Sequence, residues 1–196
     1  MKKKMNREAW LTEGIKQLRP IFKRNQYTFP DKVRVSCGFP KGSRGGKKAI
    51  GQCWTRKCSK SGYFEIFISP VVADSFKALE VLSHEMVHAT VGIKAGHKGP
   101  FKRCALAIGL EGKMTATTAG QDLAPVLNDI AVILGPYPHD ELNPSAESTI
   151  KKQGTRLIKA KCPTDDYTVR ITKKWIDFGL PTCPCGKQME VEGGTD

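Results

Sequence analysis

The sequence predicts an α+β protein, with helices packed on a short three-stranded sheet and a separate hairpin module near the C-terminus. Three observations carry this. Helix-spaced apolar residues over 7–24, and again from about 75 to 91, flank short β-patterned runs at 33–37, 49–54 and 63–69. The stretch 135–154 is broken by Gly135, Pro136, Pro138 and Pro144 and loses all periodicity, so it reads as a linker between residues 1–134 and 155–196. Beyond it lie three of the seven cysteines, Cys162, Cys183 and Cys185.

Bulk properties bound the possibilities. A chain of 196 residues holds one good-sized domain with a small appendage. At 39% apolar and 26% charged it can build an ordinary packed core. No apolar run reaches bilayer-spanning length, and the basic start Met1–Asn6 has no apolar segment behind it. A cytoplasmic, non-membrane protein is expected. The net charge of +13, with a pI near 9.5, favours a polyanionic partner, nucleic acid first among them, without separating DNA from RNA. Cys37, Cys53, Cys58 and Cys104 are scattered, as free thiols are in a reducing compartment.

The first helix places Trp10, Leu11, Ile15, Leu18 and Phe22 on one face, and Pro20 is expected to end or kink its last turn. After the strand Val33–Cys37 comes a glycine-rich loop with Lys41, Arg44, Lys47 and Lys48. It lacks the Gly-Lys-Ser/Thr ending of a phosphate-cradling loop. It suits either contacts to a nucleic-acid backbone or a solvated hairpin tip. Strands at Ala49–Trp54 and Tyr63–Ser69 lead to a helix capped by Asp74 or Ser75, with Phe76, Leu79, Leu82, Met86 and Val87 as its apolar face.

That helix contains His84-Glu85-Met86-Val87-His88, an HExxH sequence. Histidines four apart on a helix share a face, so both reach one metal ion. Glu85 then stands where a general base is needed, since zinc lowers the pKa of a bound water to about 7. After Gly92 the chain turns through Lys94-Ala95-Gly96 and presents His97, which reads as the third ligand in preference to a surface histidine of the loop. Phe101–Leu110 reads as a helix with Cys104, Leu106, Ala107 and Leu110 facing inward, and Leu123–Leu134 as another despite Pro125. Met114 reads as a packing residue that could lie beneath the metal, and His139 as solvated.

In the C-terminal module, Cys162, Asp165, Cys183 and Cys185 sit on two short turns joined by β-patterned segments such as Tyr167–Thr172. This is the layout of a zinc ribbon, and it offers a second, structural zinc site. Arg170, Lys173 and Lys174 offer phosphate contacts. Trp175 either stacks on bases or packs on its own hairpin.

Taken together, His84-Glu85-Met86-Val87-His88-Ala89 and Gly96-His97-Lys98-Gly99-Pro100-Phe101 resemble the SprT-like, Spartan-type family of zinc metallopeptidases. The resemblance spans roughly residues 7–190, and its specific part is 84–101. It implies a small zincin-like domain followed by a degenerate zinc ribbon, in which Asp165 stands where a cysteine is usual. It implies His84, His88 and His97 as ligands of a catalytic Zn2+ and Glu85 as the catalyst. It also implies a substrate peptide added as a strand beside Tyr63–Ser69. Proteins attached to DNA are the expected substrates. The competing reading is a nucleic-acid-binding accessory protein whose zinc is structural, and Glu85 argues against it. HExxH also leaves room for a zinc hydrolase of something other than peptides.

Overall fold

A computed structural model describes residues 5–43, 49–144, 146 and 157–191. The chain is mixed α+β and divides into two compact units, Met1–Ala146 and Glu147–Asp196. Among the described residues no helix is long and apolar enough to cross a membrane.

In the first unit, helix α1 (Arg7–Arg24) begins at Asn6, whose side chain accepts a hydrogen bond from the Ala9 N–H. The helix runs on through Pro20 to Arg24, so Pro20 does not end it. Gly14 explains the close approach of the next long helix. A methyl group there would stand 3.2 Å from a Leu79 methyl and 3.3 Å from one of Leu82.

Strands β1 (Val33–Cys37), β2 (Gly51–Trp54) and β3 (Phe64–Ile68) form a sheet in the order β1-β3-β2. The pair β1–β3 is parallel and β2–β3 antiparallel. Val35, Ile66 and Cys53 share one row of the register and are all buried, so this face of the sheet is the inner one. Helix α2 (Ser75–Val91) packs on β2 and β3. Its cap is Asp74, whose carboxylate accepts from the Lys77 N–H. Ala78 through Ser83 and Glu85 through Ala89 are buried, so α2 is enclosed nearly all round, as a central helix must be.

Helix α3 (Gly99–Ala107) is shorter than the sequence suggests. Gly109 takes a φ of +91°, the helix stops, and Leu110 starts a strand instead of closing the helix. Leu106, expected inside, is 49% exposed. Strands β4 (Leu110–Lys113) and β5 (Ala116–Ala119) pair as an antiparallel hairpin that the sequence did not announce. Helix α4 (Leu123–Leu134) follows, with Pro125 in its first turn, where a missing N–H is tolerated.

The stretch after α4 corrects the expected linker. Gly135 O accepts from Trp10 Nε1, and Tyr137 packs on Trp10 with ring centroids 4.9 Å apart. His139 is tied to Pro70 O at 2.7 Å and to Arg7 at 3.3 Å, so it is not merely solvated. The Leu142 N–H also donates to Pro70 O. The segment from 135 to 142 therefore belongs to the first unit. Residue 145 and residues 147–156 lie outside the described residues.

The second unit is a small sheet of β6 (Ile158–Lys161), β7 (Thr168–Ile171) and β8 (Glu190–Val191), in the order β7-β6-β8. A single-turn helix, α5 (Lys173–Ile176), follows β7. The buried core here is Ala160, Cys162, Cys183 and Met189.

Candidate metal centre

Helix α2 presents His84 and His88 from successive turns on one face. Its end is set by Gly92 at φ +85°, whose N–H caps His88 O. A short 3-10 turn at Ile93–Ala95 and Gly96 at φ +54° then reverse the chain, and His97 comes back over the helix. The result brings all three sequence-predicted ligands together. His84 Nε2 and His88 Nε2 each lie 3.1 Å from His97 Nε2. Two Zn–N bonds of about 2.0–2.1 Å at a tetrahedral angle put their nitrogens about 3.3 Å apart, so the spacing fits one ion.

The surroundings fit as well. Burial first, then the neighbouring rings of His88 and His97, push the His84 pKa down to about 3. Burial, with His97, lowers His88 to about 4, and burial lowers His97 too. All three rings are thus neutral near pH 7 and carry lone pairs, the form a metal requires. Phe101, fully buried, lies against all three, with centroid distances of 4.9, 4.5 and 4.9 Å to His84, His88 and His97. It is the apolar floor of the site. Met114 packs against the hydrophobic core from the tip of the β4–β5 hairpin.

Glu85 is 5% exposed and points to the sheet side of α2. Burial pushes its pKa up to about 8, against the Cys53 backbone N–H, which favours the carboxylate. Gly51 makes this possible. A methyl group there would stand 2.5 Å from Glu85 Oε1 and 2.6 Å from Val81.

The histidines and Glu85 open into a groove of about 640 Å³ with Gly51, Gln52 and Cys53 of β2 on one side and Ala116, Thr117 and Thr118 on the other. Strand order corrects one expectation. Tyr63–Ser69 contains β3, which is paired on both sides, so among the described residues the strand with an unpaired edge beside the groove is β2. Thr117 was missed from the sequence. Its Oγ1 lies 2.8 Å from His84 Nδ1. Lys41 lines the groove and its Nζ lies 6.0 Å over the Trp54 ring. Arg44, Lys47 and Lys48 lie outside the described residues.

No protein-family model, curated protein or solved structure matches this chain. The chemistry of the two clusters therefore carries the functional reading.

The second cluster is in the C-terminal unit. Ligand atoms of Cys162, Asp165, Cys183 and Cys185 all lie within 4.8 Å of one another. Cys162 Sγ is 3.5 Å from Cys185 Sγ, and Cys183 Sγ is 3.5 Å from Asp165 Oδ2. A tight turn, in which the Gly186 N–H donates to Cys183 O and the Cys183 N–H to Lys187 O, brings the two C-terminal thiols round. Burial opposes a Cys162 thiolate, but the Thr164 hydroxyl and the Thr164 and Asp165 N–H groups outweigh it and lower its pKa. The Cys185 N–H favours a Cys183 thiolate, yet burial and the neighbouring thiols and carboxylate push that pKa up to about 12. Four potential anions this close either keep protons, as Cys183 does, or share a cation that takes the protons' place. The set fits a metal, with Asp165 as the fourth ligand.

Around it, Arg170, Lys173 and Lys174 are exposed. Trp175 is 55% exposed and Phe178 80%, their rings 5.7 Å apart, with Lys174 Nζ 5.1 Å over the indole. Trp175 is therefore not packed away in its own hairpin.

Proposed function

We propose that this chain is a zinc-dependent endopeptidase with a zincin-like first unit, and that it acts on proteins attached to DNA. The observation that carries the reading is the convergence of three neutral imidazoles beside one buried carboxyl group in an open groove. His84, His88 and His97 would hold a zinc ion, which would supply a Lewis acid for a scissile carbonyl and a water.

Glu85 would take a proton from the attacking water at its carboxylate and return it to the leaving amine. Burial alone pushes its pKa up to about 8, which keeps the proton on near pH 7 and suits the donating half. A cation among the imidazoles pulls that value back toward neutrality, where a base works best near pH 7. The Cys53 N–H and the bare Cα of Gly51 keep the carboxyl against the sheet. The free edge of β2 offers backbone groups to an extended peptide laid beside it, the usual way an exposed edge binds a segment.

The DNA part of the reading is supported by the net charge, by Lys41 at the groove, and by the exposed Lys173, Lys174, Trp175 and Phe178. The cysteine–aspartate cluster supports a second, structural zinc. An accessory protein with only structural zinc is disfavoured. Such sites close with four protein ligands, whereas the histidine cluster offers three with a carboxyl group beside them.

Glu85→Gln tests the reading. The variant is expected to keep its zinc and lose cleavage of a DNA-bound protein by about 10²–10⁴-fold, the usual worth of a general base. Undiminished cleavage would remove Glu85 from the chemistry.

A further inference from the structure

His84 and His88 are held differently behind the cluster. His88 Nδ1 is buried with no hydrogen-bond partner among the described residues, and that ring is fixed by packing on Phe101. His84 Nδ1, in contrast, meets Thr117 Oγ1 at 2.8 Å. Thr117 is 8% exposed and belongs to β5, far from α2 in sequence.

The hairpin that carries it is anchored by a second contact. Glu80, 5% exposed, accepts the Ala119 N–H at 2.8 Å with one carboxylate oxygen and pairs with Lys77 Nζ through the other. Glu80 lies four residues before His84 on α2, a rise of about 6 Å. Ala119 lies two residues after Thr117 on β5, about 6–7 Å along the strand. The two contacts therefore match in spacing, and together they clamp the hairpin to the helix along its length. A buried carboxylate committed to a backbone N–H is a costly group to keep unless the position it fixes matters.

We propose that Thr117 is the positioning residue of the metal centre. It accepts a hydrogen bond from His84 Nδ1–H, which fixes the ring orientation and the tautomer with Nε2 bare and turned toward His88 and His97. An imidazole whose outer nitrogen is held in this way is both pre-oriented and a better donor. The proposal rests on the zinc reading of the three histidines. Without Thr117, the His84 ring has two tautomers to choose between and freedom about its Cβ–Cγ bond. Both are lost on binding an ion.

The experiment is zinc titration of the full chain against a competing chelator, with the histidine ring resonances followed by ¹⁵N-resolved NMR. Thr117→Val keeps the shape and removes the acceptor. Its zinc affinity at the histidines is expected to fall by about 10–100-fold, and Thr117→Ser, which keeps the hydroxyl, to regain most of that loss. In the wild-type protein the His84 Nδ1 resonance is expected to be that of a protonated nitrogen, a readout that depends on no variant folding. Wild-type affinity in Thr117→Val, failure of serine to rescue, or an unprotonated His84 Nδ1 each overturns the proposal while leaving the zinc reading standing. Wild-type histidine rings that do not respond to zinc at all overturn both.

Discussion

The three histidines of the first unit stand on a core that includes Trp10, Phe22, Ile66, Leu79 and Leu127, each 1% exposed or less. In the second unit the buried core among the described residues is Ala160, Cys162, Cys183 and Met189, and two of these four belong to the candidate ligand set. A domain with the first kind of core folds by burying apolar surface and can spend its metal on function. Among the described residues a sheet with the second kind has little else to hold it, so a metal bound there would be part of the fold. The ligand sets agree with this division. Three imidazoles leave a coordination position open, whereas three thiolates and a carboxylate close the shell.

The largest expected effect that can break this comparison comes from chelation. With metal stripped, amides of β6 and β7 should exchange hydrogen as an unstructured chain does, while those of α2 and β3 stay protected. Cys162→Ser should do the same to the second unit alone. Equal protection in both units after chelation would mean that the thiol cluster is no staple. His97→Ala sharpens the other side. It should cut zinc affinity at the histidines by more than the roughly 100-fold that an outer partner costs. Because His97 is partly exposed and outside the core, the unfolding midpoint of the first unit should move by only about 2–4 °C. A collapse of that unit would make its metal structural.

A smaller effect is expected from pH, measured as the thermal midpoint of the metal-free first unit. His84 and His88 protonate at about 3 and 4 when folded, against 6.5 ordinarily, because burial disfavours their charged forms. The unfolded chain therefore binds more protons as pH falls below 6.5, and stability is lost toward pH 3. Glu85 keeps its proton up to about 8 when folded, against 4.5 ordinarily. There the folded chain binds more protons, so stability is lost as pH rises from 4.5 to 8. The midpoint should peak near pH 6.5, and Glu85→Gln should flatten the alkaline limb. An unchanged alkaline limb in that variant would show the carboxyl ionised and solvated.

What could be read in advance follows the same divide between local and long-range information. Helices α1, α2 and α4 are written in apolar spacing and in caps such as Asn6 and Asp74, and HExxH is complete within two turns of one helix. His97 was legible because only a short turn separates it from α2. Thr117 was not. Its hairpin has Gly112, Lys113 and Ala116 where strands favour branched or aromatic residues, and Met114-Thr115 at the turn gives no glycine or asparagine signal. The edge position of β2 depends on β3 pairing with β1 in parallel, a choice made by tertiary packing and invisible in any one strand. The Pro-rich stretch after α4 looked like linker because its anchors, Tyr137 and His139, find partners on distant Trp10 and Pro70.

The central claim is that one ion sits among His84, His88 and His97 with a position left over for water. Anomalous diffraction at the zinc edge, on crystals of the zinc-loaded protein, tests it most directly. The expected result is one peak in the first unit, bonded to the three Nε2 atoms, with a solvent molecule as fourth ligand within reach of Glu85, apart from the peak expected at the cysteine–aspartate cluster. A fourth protein ligand closing that position, or no peak among these rings, would contradict it.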